Sequence, residues 1–307
     1  MKDINEYELT TGKSISYFYM PDCEAWHVFM QALPRPCMSV QLITELSNFC
    51  AMVKSYKETK DEGKFIVISS CVKDVFNLGG DIEYFKKLIL KKDKEKLLEY
   101  GVLCIDGLWQ LIQLSKDLHS ISIVSGTALG GGFELALACN YIIAENNVKL
   151  GFPEIKFNLF PGMGGYSFLA RQVGSHLARK IILSGANYSA EEMYRLGIVD
   201  EIASPGEGFL AAVKYVQKEN DKKNGVTYFQ RAANYVNPVT YEELLEIVKI
   251  WVDACLGLKE KDLRLIELLV GKQYIKGTEE NLISPDTFIK KIYYKNGGMG
   301  ATSLIIE

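Results

Sequence analysis

The chain has 307 residues, 48% of them hydrophobic and 24% charged, with a net charge of −3. That composition can fill the core of one large domain or two smaller ones, and it speaks against a nucleic-acid binder, whose surface would be basic. Seven cysteines (Cys23, Cys37, Cys50, Cys71, Cys104, Cys139 and Cys255) form no C-x-x-C pair, and their number is odd. They read as reduced thiols of an intracellular protein, not as a disulfide framework or a zinc site. Residues 1–14 show no apolar run behind a basic segment, and no apolar stretch approaches a membrane span. The expectation is a cytoplasmic protein with no membrane and no nucleic-acid partner.

In chain order, residues 15–20 and 25–30 are rich in aromatic and β-branched side chains and predict two short strands. Ser39 is a plausible N-cap for a helix over 40–57, with Leu42, Ile43, Leu46 and Phe49 at helical spacing. The run FIVISS at 65–70 predicts a buried strand, followed by a loop over 74–81 and helices over 82–90 and 97–115. The unit then recurs as a strand over 121–125, a loop over 126–131, a helix over 132–139 and a strand over 141–144. From residue 164 onward the pattern is almost entirely helical, clearest over 241–256 and 261–275, with a polar turn at 220–225. Strands alternating with helices predict an α/β fold, with a sheet-rich core over 1–205 and a helical region over 206–307. Those helices are available to cover a sheet face, to complete an acyl pocket or to pack between subunits.

The residues that carry chemistry lie between 125 and 165. Gly130, Gly131 and Gly132 stand between a strand and an apolar helix, where glycine lets backbone approach a ligand and leaves helix N-terminal amides free. Glu134 is alone among Phe133, Leu135, Ala136 and Leu137, so desolvation should raise its pKa while the helix dipole opposes it. Glu154 follows Pro153 in a second apolar setting, and Gly79-Gly80 supplies a second glycine turn. Two amide-bearing turns and two isolated carboxyls can hold a thioester enolate while protons move on neighbouring carbons. Each piece alone is an ordinary turn or helix-capping residue; their order and combination carry the signal.

From 65 to 203 this pattern resembles the crotonase (enoyl-CoA hydratase/isomerase) superfamily. The resemblance implies a spiral of ββα units, with Gly80 and Gly131 as the oxyanion-hole amides. It further implies Glu134 and Glu154 as the paired acid and base, and Gly162 as a shaper of the water site. A narrower resemblance, to the diffusible signal factor synthases, rests on Leu33-Pro34-Arg35-Pro36-Cys37, Asn77-Leu78-Gly79-Gly80-Asp81, Phe157-Asn158-Leu159-Phe160-Pro161-Gly162-Met163-Gly164, Tyr166-Ser167-Phe168, Trp251-Val252-Asp253-Ala254-Cys255 and Lys261-Asp262-Leu263. It implies dehydration of a 3-hydroxyacyl thioester on acyl carrier protein, then hydrolysis to a free cis-2-unsaturated fatty acid. Gly165 departs from that pattern, which more often has alanine. Residues after about 275 match nothing recognised.

An acyl chain needs an apolar pocket, for which Leu129, Phe133, Phe157, Phe160, Met163, Trp251 and Leu269 are candidates, each equally readable as core packing. In dehydration, Glu154 is assigned to the α-proton and Glu134 to the departing hydroxyl, with the reverse left open. No cofactor is expected; the substrate is a phosphopantetheine thioester on acyl carrier protein or CoA. Lysines 86, 87, 91, 92, 94 and 96 offer an acidic carrier protein a docking patch, although Asp93 and Glu95 among them fit a plain solvated surface. The resemblance also permits binding to a sensor kinase's receiver domain and assembly as a homotrimer or dimer of trimers. A hydratase of fatty-acid degradation and a fatty-acid-binding or kinase-binding signalling protein are the alternatives. A serine hydrolase is disfavoured because G-x-S-x-G is absent, and His27, His119 and His176 are too dispersed for a metal site.

Overall fold

A computed structural model describes residues 8–60, 63–220, 223–275, 280–288 and 290. The chain runs β1 (Thr10–Thr11), β2 (Ile15–Met20), β3 (Ala25–Met30), α1 (Val40–Lys60), β4 (Phe65–Ser70), β5 (Val75–Asn77), α2 (Ile82–Leu90), α3 (Lys94–Leu114), β6 (His119–Val124), β7 (Thr127–Leu129), α4 (Gly131–Leu137), β8 (Tyr141–Glu145) and β9 (Lys149–Gly151). A 3-10 turn at Glu154–Phe157 leads to α5 (Gly165–Ser184), β10 (Asn187–Ser189), α6 (Ala190–Arg195), β11 (Glu201–Ala203), α7 (Gly208–Asn220), α8 (Lys223–Val236), α9 (Tyr241–Leu256) and α10 (Glu260–Gln273).

Two sheets organise these elements. The larger has the order β1-β2-β3-β4-β6-β8-β11, antiparallel through β3 and parallel from β3 onward. The smaller has the order β10-β9-β7-β5. Each repeat therefore places a long strand in the first sheet, a three-residue strand in the second, then a helix or helical turn: β4-β5-α2, β6-β7-α4 and β8-β9 with its 3-10 turn. This is the α/β spiral of ββα units. The continuous apolar strands follow from cover on both faces. On β4, Ile66 and Ile68 join the core beneath α1 and α3, whereas Phe65 and Val67 join a second cluster with Phe209, Ala212, Val213 and Val216 of α7. That is the period-two alternation of a strand.

The sequence missed the short strands. β5 and β7 lie inside the stretches predicted as loops, and β9 to β11 went unseen, because three residues are too few for any hydrophobic period to show. The predicted polar turn at 220–225 is also corrected: α7 extends to Asn220 and α8 begins at Lys223, while 221–222 lie outside the described residues. The core beneath α1 and α3 takes in Leu244, Val248, Trp251, Val252, Cys255 and Ile266 of α9 and α10. α8 leaves Tyr228, Phe229, Tyr235 and Val236 exposed. No helix among the described residues is long and apolar enough to cross a membrane.

His27 of β3 is 2% exposed, sandwiched between Phe18 and Phe209 at centroid distances of 5.1 and 4.8 Å. Neither ring nitrogen has a hydrogen-bond partner, and burial pushes its pKa down to about 3. A depressed histidine binds its proton more readily in the unfolded chain, so stability is retained above pH 6.5 and lost as pH falls toward 3. At pH 5 the expected loss is about 2 kcal/mol relative to neutral pH. Urea unfolding of wild type and His27→Phe at pH 7 and pH 5 checks this: the variant should lose less stability on acidification, and an equal loss in both refutes it.

Candidate active site

The short strands converge on one place. β5 ends at Asn77 and leads into Gly79-Gly80; β7 ends at Leu129 and leads into Gly130-Gly131; β9 ends at Gly151 and leads to Glu154. All three connections border a cavity of about 320 Å³, whose lining includes Gly80, Gly131, Glu134, Glu154 and Gly162.

The two glycine turns touch. A Cβ on Gly131 would meet the Gly80 nitrogen at 3.4 Å and the Met163 sulfur at 2.7 Å. Gly131 is the first residue of α4, so its N–H has no acceptor within the helix. The Gly80 N–H meets no backbone acceptor among the described residues. Both amides are thus available to one oxygen in the cavity. The residues around Gly80 are firmly held. Asn77 Oδ1 accepts from the Gly79 N–H at 2.9 Å, and Tyr100 Oη accepts from the Asp81 N–H at 2.7 Å while donating to the Met38 carbonyl at 2.8 Å. The Leu78 and Met38 amides bond to Pro36 and Gly79 carbonyls, and Arg35 pairs with Asp81.

Glu134 is 1% exposed, and its Oε1 accepts two hydrogen bonds of 2.8 Å, from the N–H groups of Met163 and Gly165. Gly165 opens α5, so the carboxyl sits at a helix N-terminus, where amides and dipole both favour negative charge. Burial still dominates and pushes Glu134 up to about 7, with those two amides pulling back. Glu154 has less support, from its own backbone N–H alone. Its Oε2 is buried without a hydrogen-bond partner, and its Oε1 occupies the space that a side chain at Gly130 would fill, 2.3 Å from the ideal Cβ. Gly130 also has φ +50, so glycine is required there twice over. Burial first, then the charge of Glu134, raise Glu154 to about 8. Burial thus raises both carboxyls far above the ordinary carboxylate range, and because each feels the other's charge the two titrate as a unit.

Of the predicted pocket residues, Leu129, Phe157, Phe160, Met163, Trp251 and Leu269 line the cavity. Phe133 does not, which corrects the prediction: it is 0% exposed and packs 5.1 Å from Phe152. Consecutive helical residues diverge by about 100°, so Glu134 facing the cavity turns Phe133 into the core. Gly162 lies against the Trp251 indole, 2.6 Å from an ideal Cβ to Cγ. Trp251 meets Phe85 edge-on at 5.6 Å. At Gly165 an added Cβ would stand 3.0 Å from Phe152 and Pro161, so alanine there would need both neighbours to yield slightly.

Sequence reasoning overlooked Phe85, Tyr100, Cys104 and Gln273, all in the cavity wall. The first three sit in apolar helical stripes that read as core. Gln273 carried a signal, a polar side chain on the stripe Asp262, Ile266, Leu269, Gln273. In the lysine patch, Lys86 pairs with Glu267, Lys87 with Glu83 and Lys94 with Asp253. Lys156 and Lys272, outside that patch, are exposed residues at the cavity wall. All seven cysteines are free and buried.

Two packed sheets of spiralling ββα units, with paired amide turns over a shared cavity, define a crotonase-fold protein. The chain belongs to the enoyl-CoA hydratase/isomerase family, whose family model matches residues 31–249. It is 32% identical over 213 residues to the "Probable enoyl-CoA hydratase, mitochondrial" of Dictyostelium discoideum, covering 66% of this chain and 72% of that protein. It is 34% identical over 157 residues to the fatty acid oxidation complex subunit alpha of Pseudomonas savastanoi pv. phaseolicola, covering 50% of this chain and only 21% of that longer protein. A solved enoyl-CoA hydratase of Geobacillus kaustophilus shares the fold, with a TM-score of 0.67 at 18% identity over 87% of this chain and 97% of that one.

A carboxyl held neutral at pH 7 is directly observable. Infrared difference spectra of the protein should show a protonated-carboxyl band at pH 7 that fades as pH rises through 8 and is strongly reduced in Glu154→Gln. A wild-type spectrum without that band at pH 7 contradicts the site electrostatics.

Proposed function

We propose that the protein moves water across the Cα–Cβ bond of an acyl thioester, and that in its biological direction it dehydrates a 3-hydroxyacyl carrier protein and then hydrolyses the thioester. The product is a free cis-2-unsaturated fatty acid. The observation that carries this reading is the pair of carboxyls, both with proton affinity raised by burial, beside two free amides in one apolar cavity.

The thioester oxygen accepts from the N–H groups of Gly80 and Gly131, which stabilises the enolate formed when the α-proton leaves. Glu154 takes that proton, and Glu134 protonates the departing 3-hydroxyl. In the hydration direction the roles reverse: ionised Glu134 activates water and neutral Glu154 delivers the proton to Cα. Because burial raises both carboxyls, either one can carry the proton, and the site serves both directions. Dehydration starts from the form with the proton moved to Glu134, a small cost because the two affinities are similar. In the thioesterase step, one of the same carboxyls activates a water against the carbonyl carbon. The tail lies among Phe85, Phe157, Phe160, Trp251 and Leu269, and Lys156 and Lys272 suit the carrier's anionic phosphate. The C-terminal helices complete this pocket and provide surface for assembly of subunits in the cytoplasm.

Support for the finer reading comes from where the synthase-like residues lie. Arg35 pairs with Asp81, Pro36 accepts from Leu78, and Gly162 packs on Trp251, so four separate stretches of that resemblance meet, three of them lining the cavity and the 33–37 stretch bracing one of those. The second reading, a hydratase acting on CoA thioesters in fatty-acid degradation, is favoured by the relatives' names.

Mass spectrometry of products from 3-hydroxyacyl carrier proteins of several lengths separates the two. Free unsaturated acid supports the bifunctional reading; product retained as thioester leaves only the hydratase. Glu134→Gln and Glu154→Gln should each lower dehydration by roughly 10²–10⁴-fold, and full activity in both refutes the assignment. The pH profile should be bell-shaped, since the rate needs one proton on the pair. Trp251→Ala should shift the preferred chain length, and an unchanged preference removes Trp251 from the acyl pocket.

A further inference from the structure

Resting on that reading, we infer that α10 is a strut that fixes the spacing between the oxyanion turn and the Glu154 turn, with Gln273 as a positioning residue for the Gly80 amide. Gln273 is 3% exposed, at the last turn of α10, and its side chain is fully engaged. Nε2 donates to the carbonyls of Gly80 at 2.8 Å and Leu78 at 3.1 Å, and Oε1 accepts from the Ile82 N–H at 3.3 Å. These three backbone groups bracket the peptide that presents the Gly80 N–H. An amide side chain is the one group of this length that can donate twice and accept once.

The opposite end of the same helix holds the other half of the site. Asp262 is 4% exposed, and its Oδ2 accepts from Asn158 Nδ2 at 3.2 Å and from the Lys259 N–H at 3.0 Å. Asn158 closes the 3-10 turn that begins with Glu154, in a left-handed conformation with φ 62. Ten helical residues separate the two anchors, a rigid span of roughly 16 Å. Between them Leu269 and Lys272 face the cavity. The segment that follows tightens the hold: the Ile275 N–H bonds to the Pro34 carbonyl at 2.8 Å, and Tyr274 donates to Glu83 at 2.7 Å and lies under Arg35. All of α10 falls beyond residue 249, where the family match ends.

A misplacement of about 1 Å at a reacting centre can cost on the order of 10²-fold in rate. Freeing the Gly80 and Leu78 carbonyls from Gln273 leaves the peptide between them held on one side only, by the Met38 N–H on the Gly79 carbonyl, so the amide that faces the thioester oxygen can tilt out of line. Gln273 borders the cavity, but its amide is spent on the turn backbone, and the aromatic wall of Phe157, Phe160 and Trp251 that receives the acyl chain keeps its shape in the variant. Gln273→Met keeps length and volume without donor or acceptor. It should lower kcat at least tenfold with KM changed less than about twofold and the melting temperature within a few degrees of wild type.

A spectroscopic readout separates positioning from mere folding. Octanoyl-CoA carrying ¹³C at its thioester carbonyl should show a C=O stretch shifted to lower frequency on binding wild type, and a smaller shift on binding Gln273→Met. Gln273→Asn, too short to reach both carbonyls, should behave likewise and serves if the methionine variant does not fold. Asn158→Ala, cutting the far anchor, should leave the carbonyl shift intact and move the pH profile instead. A shift and kcat undiminished in the folded Gln273 variants overturn the inference alone. No shift on binding wild type overturns the proposed function, and this inference with it.

Discussion

The site depends on where one carboxyl is fastened. Glu134 lies in the first turn of one helix and is clasped by the opening amides of another, so a single side chain joins two ββα units. Those amides keep its charged form within reach of neutral pH despite complete burial. They also orient Oε1, leaving the second oxygen for chemistry. Without them a carboxyl this deep would stay protonated and idle. Glu154 differs because only its own backbone N–H opposes its burial and the neighbouring charge of Glu134 adds to it, and its high proton affinity follows from that contrast. Two identical side chains are both raised by burial, and their surroundings differ in how much of that rise they oppose.

The spiral explains why these groups meet. Each unit sends a short strand into the smaller sheet, and parallel pairing of β5, β7 and β9 aligns their C-terminal ends. The first end delivers one glycine turn, the second delivers the other with Glu134 behind it, and the third delivers Glu154. Register in a three-stranded layer thus fixes distances that sequence separation leaves open. The glycines then remove the side chains that would block the approach, Gly130 making room for Glu154 and Gly131 facing Met163 and Gly80.

Much of this was legible before any coordinates. Ile15–Met20, Ala25–Met30, Ile82–Leu90 and Tyr241–Leu256 were predicted with their observed bounds, because each carries a clear period or a sharp cap. Both glutamates, the glycine turns and six of seven pocket residues reach the same cavity, since isolated charge in apolar surroundings is a strong signal. Phe133 failed because its neighbour's direction was not used to constrain its own. The three-residue strands failed because their pairing is long-range and their composition ordinary. Tyr100 and Gln273 escaped notice for a different reason: their partners are backbone groups on distant loops, and backbone groups leave no mark on composition.

The brace formed by Gln273 has a bearing on how the molecule comes into being. Gln273 and Ile82, which it caps, are 191 positions apart. A chain emerging from the ribosome has the strands of both sheets and both glutamates in hand while the turn beside the cavity still lacks its last brace. The last contact that shapes the site is thus also among the last the ribosome supplies, and it joins segments that are far apart in the order of synthesis.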